Sequence, residues 1–584
     1  MINHKFLPYI ISSPLDDFLL TDFINQDKEI FLTMNNNSSS VNIDVTIIQN
    51  IIFGYNLLNG KKYDELKQLI DKSEPLVNKC KENTYFIDLE LLKSFLQFYT
   101  YNFHETVNLL KKIEFLIFES NSETYYWTIR KTVFLNLLAK SLQELGKFDN
   151  ALNYANKGLD LAIKSNFNNK IYEFYILISK IYKYQGNLTL SLESALQSLS
   201  LANDLDDIPK KISSYIMLGG IEGLNRNLTK STKYFNLSLI LARKIHSDKI
   251  NLCLNNLAMS YWLAGFLNES IEYLTESQKF VLKKNNLRQL SLLYNNLGLI
   301  YLSKGDYDNS EIFLLKALHL KEETNFVTRL GNTLLSLSDL YYHKKNFEKS
   351  EDYLLKSINL SKEKKDLNIL THSLFSLILL YNNIGNIPLV HKYYSEFSEL
   401  LEDKTDDIYK LRYQLISGVI SGNSSNYETL LNGLNNLETI IKMNSLDYEI
   451  SIYAYFHFCL ISFTIKSLFG IEMNYQKAND YLSLITSKAL EYNNHETFWK
   501  CRILDAKFKT LANNIKDAEM ILSSVIEETE IRGYNTLNKF AIESMNNIKS
   551  LNFAFDNEIG FNNSKKDSTR LENDIIQFIS SISK

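Results

Sequence analysis

The cysteine, histidine and glycine residues of this chain are the first candidates for chemistry, and none forms a catalytic or metal-binding pattern. The four cysteines lie far apart without a C-x-x-C pair, and no two of the nine histidines stand at i, i+4. The sequence also lacks a G-x-S-x-G elbow, a Walker loop and an H-E-x-x-H motif. It therefore predicts a protein that is not an enzyme, with no catalytic residue, no metal site and no cofactor.

Paired asparagines form a more specific polar pattern. Asn255 and Asn256 recur forty residues later as Asn295 and Asn296. An amide both donates and accepts hydrogen bonds, so stacked pairs could bind the backbone of an extended peptide whatever its sequence. The chain is rich in asparagine elsewhere, as at Asn35 to Asn37, and compositional bias or helix capping is therefore an open alternative.

The elements that would position these asparagines are paired helices that repeat about every forty residues. Gly305 is followed by Tyr307 and Ser310, and Gly265 by Ser270 at the same spacing. The glycine predicts the end of a first helix, because the chain turns there through a left-handed conformation that a side chain disfavours. The small residue five positions later predicts a close approach between the first and second helices of a pair.

A small or aliphatic residue near the start of each second helix marks the successive repeats. The markers are separated by 39 or 40 residues, except for two steps of 45 and 48. They are Leu66, Thr106, Ala151, Ser191, Ser231, Ser270, Ser310, Ser350, Val390, Leu430, Ala478 and Ala518. A fixed period of this length is typical of a stacked array, and the markers predict about twelve antiparallel helix pairs.

This pattern resembles the tetratricopeptide repeat family in its long-helix form, similar to kinesin light chain and to the sensor arm of the bacterial maltose regulator. The resemblance is carried by Leu297, Gly298, Tyr301, Gly305 and Ser310 in one repeat. It implies an all-α fold, a right-handed α-solenoid of tetratricopeptide-like helix pairs. Armadillo and HEAT arrays share the period but lack this alternation of small residues at the helix crossings.

In this family the first helix of every repeat lines a concave groove that binds partner segments. The resemblance implies a peptide-binding groove formed by Asn255, Asn256, Met259, Trp262, Asn295, Asn296, Leu299, Asp339, Tyr342 and His343. Trp262 is either an apolar anchor for a ligand or a packing residue between repeats. We expect a non-catalytic scaffold or adaptor with a protein or peptide partner. The alternative is a regulatory arm that changes superhelix shape when it binds a small molecule or a signalling peptide.

Composition limits the other partners. The net charge of -4 over 584 residues gives no basic field for nucleic acid. The most apolar stretch, from Tyr453 to Ile465, is shorter than the ~20 residues that span a bilayer, so we expect no membrane insertion. Four separated cysteines fit a reducing compartment, which predicts a cytoplasmic protein.

The clarity of the repeat pattern predicts five segments along the chain. They are an N-terminal helical cap and polar linker at 1–42, degenerate repeats at 43–130, the clear array at 131–400, degenerate repeats at 401–555, and a polar tail with a terminal helix at 556–584. The N-terminal segment could instead fold back into the groove. The apolar run from Ile575 to Ile582 could dock on a partner or on the array itself.

Overall fold

The chain folds into a series of α-helices. The computed structural model describes residues 43–556 and 574–579, apart from short gaps at 81–82, 120–124, 226, 325, 327–329, 365, 402–406, 443–447 and 492–493. These residues form 25 helices, a short helical segment at 574–579 and no β-strand. The predicted N-terminal cap and linker at 1–42 lie outside the described residues.

The first ten helices form five antiparallel pairs. They are α1 (Ile43–Asn59), α2 (Tyr63–Val77), α3 (Asn83–Tyr99), α4 (Phe103–Glu119), α5 (Tyr125–Glu144), α6 (Phe148–Lys164), α7 (Asn168–Tyr184), α8 (Leu188–Asp204), α9 (Ile208–Leu224) and α10 (Leu228–Lys244).

The next helices continue the same alternation of a first and a second helix. They are α11 (Ile250–Leu263), α12 (Leu267–Lys283), α13 (Leu287–Lys304), α14 (Tyr307–Glu323), α15 (Leu330–His343), α16 (Phe347–Lys364), α17 (Leu367–Asn383), α18 (Ile387–Glu399), α19 (Asp407–Ser421), α20 (Tyr427–Lys442), α21 (Tyr448–Phe469), α22 (Met473–Glu491), α23 (His495–Leu511), α24 (Ile515–Arg532) and α25 (Asn535–Asp556).

The twelve sequence markers identify the twelve helix pairs of the structure. Each marker lies in the first turns of one second helix, from Leu66 in α2 to Ala518 in α24, and each is at most 1% exposed. The all-α solenoid of about twelve helix pairs predicted from the sequence is therefore confirmed, with α25 following the twelfth pair.

The described chain divides into two compact units, and the boundary between them lies within α10. The smaller unit contains α1–α9 and residues 237–247, and the larger unit contains residues 226–236 and the helices from α11 onward. In each unit the core lies between the helix layers: Phe134 and Phe174 are buried in the smaller one, and Leu314 and Leu337 in the larger. The predicted segment boundaries at 130, 400 and 555 stay predictions.

Small residues allow the two helices of a pair to approach each other closely. The hydroxyl of Ser310 donates to the carbonyl oxygen of Gly298 at 2.8 Å, and Ser270 donates to that of Ala258 at 2.6 Å. A Cβ atom at Gly298 would come within 2.6 Å of Leu314. The close approach predicted from the small residues is therefore present, and a hydroxyl reinforces it.

Asparagine and aspartate side chains begin several of the helices. The side-chain oxygens of Asn187, Asn286, Asp306 and Asn386 each accept a hydrogen bond from a backbone N–H in the first turn. These residues satisfy donors that a helix start leaves without an intrahelical partner. Part of the asparagine richness of the chain thus serves helix capping.

Tyrosine–glutamate hydrogen bonds join consecutive pairs. The hydroxyl of Tyr341 on α15 donates to Glu311 of α14 at 2.5 Å, and Tyr381 on α17 donates to Glu351 of α16 at 2.6 Å. Tyr341 also stacks on Tyr353 of its own pair, with ring centroids 5.5 Å apart. The same aromatic side chain therefore contributes to packing within a pair and to bonding between pairs.

The helical segment at 574–579 docks on the end of the array. Phe578 lies edge-to-face against Phe540 of α25 at 5.6 Å, and Lys507 of α23 forms an ion pair with Asp574. The C-terminal apolar run was expected to dock either on a partner or on the array, and the described part of it docks on the array. No helix of the described residues is long and apolar enough to cross a membrane.

Candidate functional site

The paired asparagines of the sequence lie on neighbouring first helices and bond to one another. Asn296 of α13 donates through Nδ2 to Oδ1 of Asn255 on α11 at 2.8 Å. On the other side of α13, the hydroxyl of Thr333 on α15 donates to Oδ1 of Asn295 at 2.7 Å. We call Asn255, Asn256, Asn295, Asn296 and Thr333 the amide cluster, which links three successive first helices.

The amide cluster lies in the middle of its helices and is deeply buried. Its four asparagines are between 0 and 2% exposed. They stand several residues inside α11 and α13, so helix capping does not account for them. The structure thus separates these amides from the capping asparagines, which share their residue type but lie at helix starts.

Several polar atoms of the amide cluster lack a hydrogen-bond partner among the described residues. They are Nδ2 of Asn295, Oδ1 of Asn296 and both amide atoms of Asn256. A buried polar group without a partner costs about 1–3 kcal/mol in proteins. The cluster therefore presents a donor and an acceptor on consecutive residues of α13, and a second donor and acceptor on α11.

A buried lysine extends the amide cluster. Lys321 of α14 is 2% exposed, and its ammonium donates to the hydroxyl of Thr333 at 2.5 Å. This charge reaches the first helices from a second helix. No sequence signal identified it, because Lys321 stands among Glu322, Glu323 and other polar residues that are typical of a solvent-facing helix end.

Three apolar residues predicted for the groove are buried in α11 and α13. Met259, Trp262 and Leu299 are each at most 5% exposed. The indole N–H of Trp262 donates to the hydroxyl of Ser303 on α13 at 3.0 Å. Trp262 therefore takes part in the packing between two repeats, and its polar atom is satisfied there.

The remaining predicted groove residues lie on α15, and Tyr342 and His343 stand at its C-terminal end. Tyr342 accepts a hydrogen bond from Asn383 of α17 at 2.8 Å, and His343 stacks on Tyr307 of α14 at 6.0 Å. Burial raises the pKa of Tyr342 above its ordinary value. These two side chains lie about 14 Å along the helix axis from Thr333. The structure brings the asparagines together and places this aromatic pair apart from them.

Asp339 is the other predicted residue of α15, and it is 8% exposed. It lies between Thr333 and the aromatic pair in the helix. With it, all ten predicted groove residues fall on the first helices α11, α13 and α15. Their assignment to a binding groove stays a prediction.

Two of the four cysteines are poor nucleophiles in this fold. All four are free thiols, and Cys253, Cys459 and Cys501 are buried. Burial raises the pKa of the Cys459 and Cys501 thiols to about 12, which leaves them protonated near neutral pH. Within the described part of the chain, no group of three or more histidine, cysteine or acidic residues could hold a metal ion.

A family model matches part of the central repeats. Residues 289–363, which cover nearly all of α13–α16, match the tetratricopeptide repeat family. This segment is similar to tetratricopeptide repeats. It includes Asn295, Asn296 and Thr333 of the amide cluster, together with Lys321. The resemblance of this tetratricopeptide array to kinesin light chain in particular stays a prediction.

Solved structures that are similar to this chain share little sequence with it, and no curated protein matches it. The apo form of the quorum sensor NprR from B. thuringiensis is 13% identical, with a TM-score of 0.42, over 68% of this chain and 99% of that one. Aspartyl phosphate phosphatase F from Bacillus subtilis is 13% identical, with a TM-score of 0.41, over 63% and 95%. A tetratricopeptide repeat protein from Parabacteroides merdae is 15% identical, with a TM-score of 0.36, over 49% and 98%.

Proposed function

We propose that the larger unit binds an extended segment of a partner protein along its first helices α11, α13 and α15, without catalysis. The observation that carries this proposal is the pair of adjacent, buried polar atoms on α13. Nδ2 of Asn295 is a donor and Oδ1 of Asn296 is an acceptor, and neither has a partner among the described residues. One peptide unit offers a carbonyl and an N–H in return, so the two asparagines can recognise backbone regardless of side chain.

The surroundings of the amides favour a ligand with apolar side chains. Met259 and Leu299 lie on the same first helices, one turn beyond the asparagines. An extended peptide points successive side chains to opposite sides, so it can bond to amides with its backbone while it buries alternate side chains. Binding would also relieve the cost of the unpaired amides, which adds to the affinity.

A regulatory arm that senses a peptide or a small molecule is the second candidate function. The near-complete burial of the asparagines favours it, because a ligand reaches them only when the helices around them move. A ligand that binds one arrangement better than another shifts the population toward that arrangement. Binding at the amide cluster would then be coupled to a change in the shape of the array.

The proposal is tested with the full chain and a displayed library of random peptides. Peptides that bind are measured individually by fluorescence anisotropy against the native protein and the Asn295→Ala/Asn296→Ala variant. We expect at least a tenfold loss of affinity in the variant, which corresponds to about 1.4 kcal/mol. Asn359→Ala, at an exposed position of α16, is the matched control and should bind like the native protein.

Two results would overturn the peptide proposal. Equal affinity for the native protein and the double variant would mean that the amides do not contact the ligand. Failure to select any peptide, together with stabilisation of the native protein by a metabolite mixture in a melting experiment, would favour the small-molecule sensor. We further propose a cytoplasmic location without a nucleic-acid partner, since buried free thiols suit a reducing compartment.

A further inference from the structure

Arg532, the last residue of α24, bonds to the turn between α11 and α12. Its Nη1 donates to the carbonyl oxygen of Ala264 at 2.9 Å, across 268 residues of chain. The guanidinium lies 4.2 Å from the centre of the Phe266 ring and 5.6 Å from that of Trp499 on α23. Within the larger unit, one side chain thus joins the sixth helix pair, α11 and α12, to the twelfth pair, α23 and α24.

The turns that contain glycines also come close to residues far along the chain in this region. A Cβ atom at Gly265 would lie 3.1 Å from Cβ of His495, and one at Gly305 would lie 2.2 Å from Oγ1 of Thr536. A Cβ atom at Gly533 would lie 3.2 Å from the amide of Asn268. Three separate turns therefore meet at van der Waals distance, and side chains at these glycines would push them apart.

We call these contacts the seam. One side of the seam consists of Ala264, Gly265, Phe266, Asn268 and Gly305, and the other of His495, Trp499, Arg532, Gly533 and Thr536. In an ordinary solenoid each repeat contacts only its neighbours. The seam instead joins pairs that are six positions apart, so it closes the first helices of the larger unit on themselves.

The charges at the seam are compatible with a closed state at neutral pH. Burial, together with the positive charge of Arg532, lowers the pKa of His495 to about 4, so the imidazole is neutral next to the guanidinium. Glu528, one turn before Arg532, accepts a hydrogen bond from Nε at 3.3 Å and orients the guanidinium. Arg532 therefore has a partner on its own helix and a second partner across the seam.

We propose that the seam is a latch that holds the larger unit closed around the amide cluster. Arg532 is its positioning residue: when its bond to Ala264 breaks, the turns of α11–α12 and α13–α14 separate from α24 and α25. The role of the latch in admitting a peptide rests on the proposed function. The existence of a closed and an open state does not rest on that function, because the latch contacts are present in the protein without a ligand.

Pulsed electron paramagnetic resonance on the full, ligand-free chain tests the latch. Spin labels at Glu269→Cys and Asn535→Cys flank the seam at exposed positions, with Cys80 replaced by serine. The native arginine should give one narrow distance. Arg532→Ala should shift at least half of the population to a longer distance. Arg532→Lys should keep a smaller share of the narrow distance than the native protein, since lysine cannot stack as a planar group.

Arg288 provides a matched control. Its guanidinium also lies on a phenylalanine, 5.5 Å from the Phe326 ring, and donates to a backbone carbonyl, that of Thr324 at 3.3 Å. These contacts join the first helix of one pair to the end of its second helix and to the loop that follows, away from the seam, so Arg288→Ala should leave the label distance unchanged. A folded Arg532→Ala variant, verified by circular dichroism, that keeps the native distance would overturn the latch.

A second variant reaches the seam without changing a charge. Gly305→Ala introduces the Cβ atom that meets Thr536, and it should lengthen the same label distance. If it does, while no peptide binds to the protein, the latch stands and the proposed function fails. If the distance stays native in both Gly305→Ala and Arg532→Ala, the latch fails whatever the protein binds.

Discussion

Residues of one type acquire different roles in this protein through their neighbours. Asn255 and Asn256 are consecutive and equally buried, yet only Asn255 accepts the hydrogen bond from Asn296. Both amide atoms of Asn256 lack a partner among the described residues. A residue that is retained at a cost in stability is a candidate for function, because function is the usual reason for such a cost.

The two asparagines should therefore respond in opposite ways to the same substitution. Asn256→Leu should raise the free energy of unfolding by about 1 kcal/mol, because it removes a buried amide without a partner. Asn255→Leu should lower it by about 1–3 kcal/mol, because it leaves Nδ2 of Asn296 unpaired. The shift of the urea midpoint, followed by circular dichroism, measures both. A loss of stability in Asn256→Leu would contradict this assignment.

The environment of Glu311 predicts that the stability of the protein depends on pH. The hydrogen bond from Lys344, followed by that from Tyr341, lowers the pKa of Glu311 from its ordinary value. A carboxyl whose pKa falls on folding stabilises the fold above its unfolded pKa of about 4.3 and loses this contribution as pH falls through the folded pKa. Glu311→Gln should thus be less stable than the native protein at pH 7, and the difference should shrink below pH 4.

Urea titrations of both proteins between pH 3 and pH 7 measure this difference. Glu428→Gln, at an exposed position of α20, is the control and should follow the native curve. A native-to-variant difference that stays constant through the whole pH range would mean that the charge of Glu311 does not contribute.

At the scale of elements, left-handed glycines end first helices, and the surroundings decide how much each one matters. Gly305 has φ of 79° and Gly385 has φ of 75°. No atom lies within 4 Å of a Cβ built on Gly385, whereas a Cβ on Gly305 meets Thr536 of α25. The two positions share the turn and differ in the long-range contact.

This difference predicts unequal effects of alanine. Gly385→Ala should cost about 1 kcal/mol, the ordinary strain of a side chain in the left-handed region. Gly305→Ala should cost more, because it also forces α25 away from the turn. In the double variant Gly305→Ala/Thr536→Ala, the loss of stability should be closer to that of Gly385→Ala. Melting temperatures measure these losses. Equal costs for the two single variants would show that the contact with Thr536 carries no energy.

At the scale of the molecule, the larger unit departs from a linear array. Nearest-neighbour contacts, such as those of Tyr341 with Glu311, recur along the chain and would allow the repeats to open one by one. Arg532 adds a contact between repeats far apart in sequence. Such a contact couples the repeats that it encloses, because none of them can rotate freely until it breaks. The expected response of the label distance to Arg532→Ala follows from this coupling.

The helix pairs could be predicted from the sequence, because local interactions specify them. Glycines with positive φ, small residues at crossings and the helical spacing of apolar side chains act within one repeat, so their period gave the fold and the twelve markers. The sequence also identified Asn255, Asn256, Asn295 and Asn296 as one set.

Three contacts required the folded structure: the hydrogen bond between Asn296 and Asn255, the bond of Lys321 to the cluster, and the bond of Arg532 to Ala264. Those contacts depend on how successive pairs rotate relative to one another. Small rotations add up along the array, and no spacing within a repeat encodes their sum.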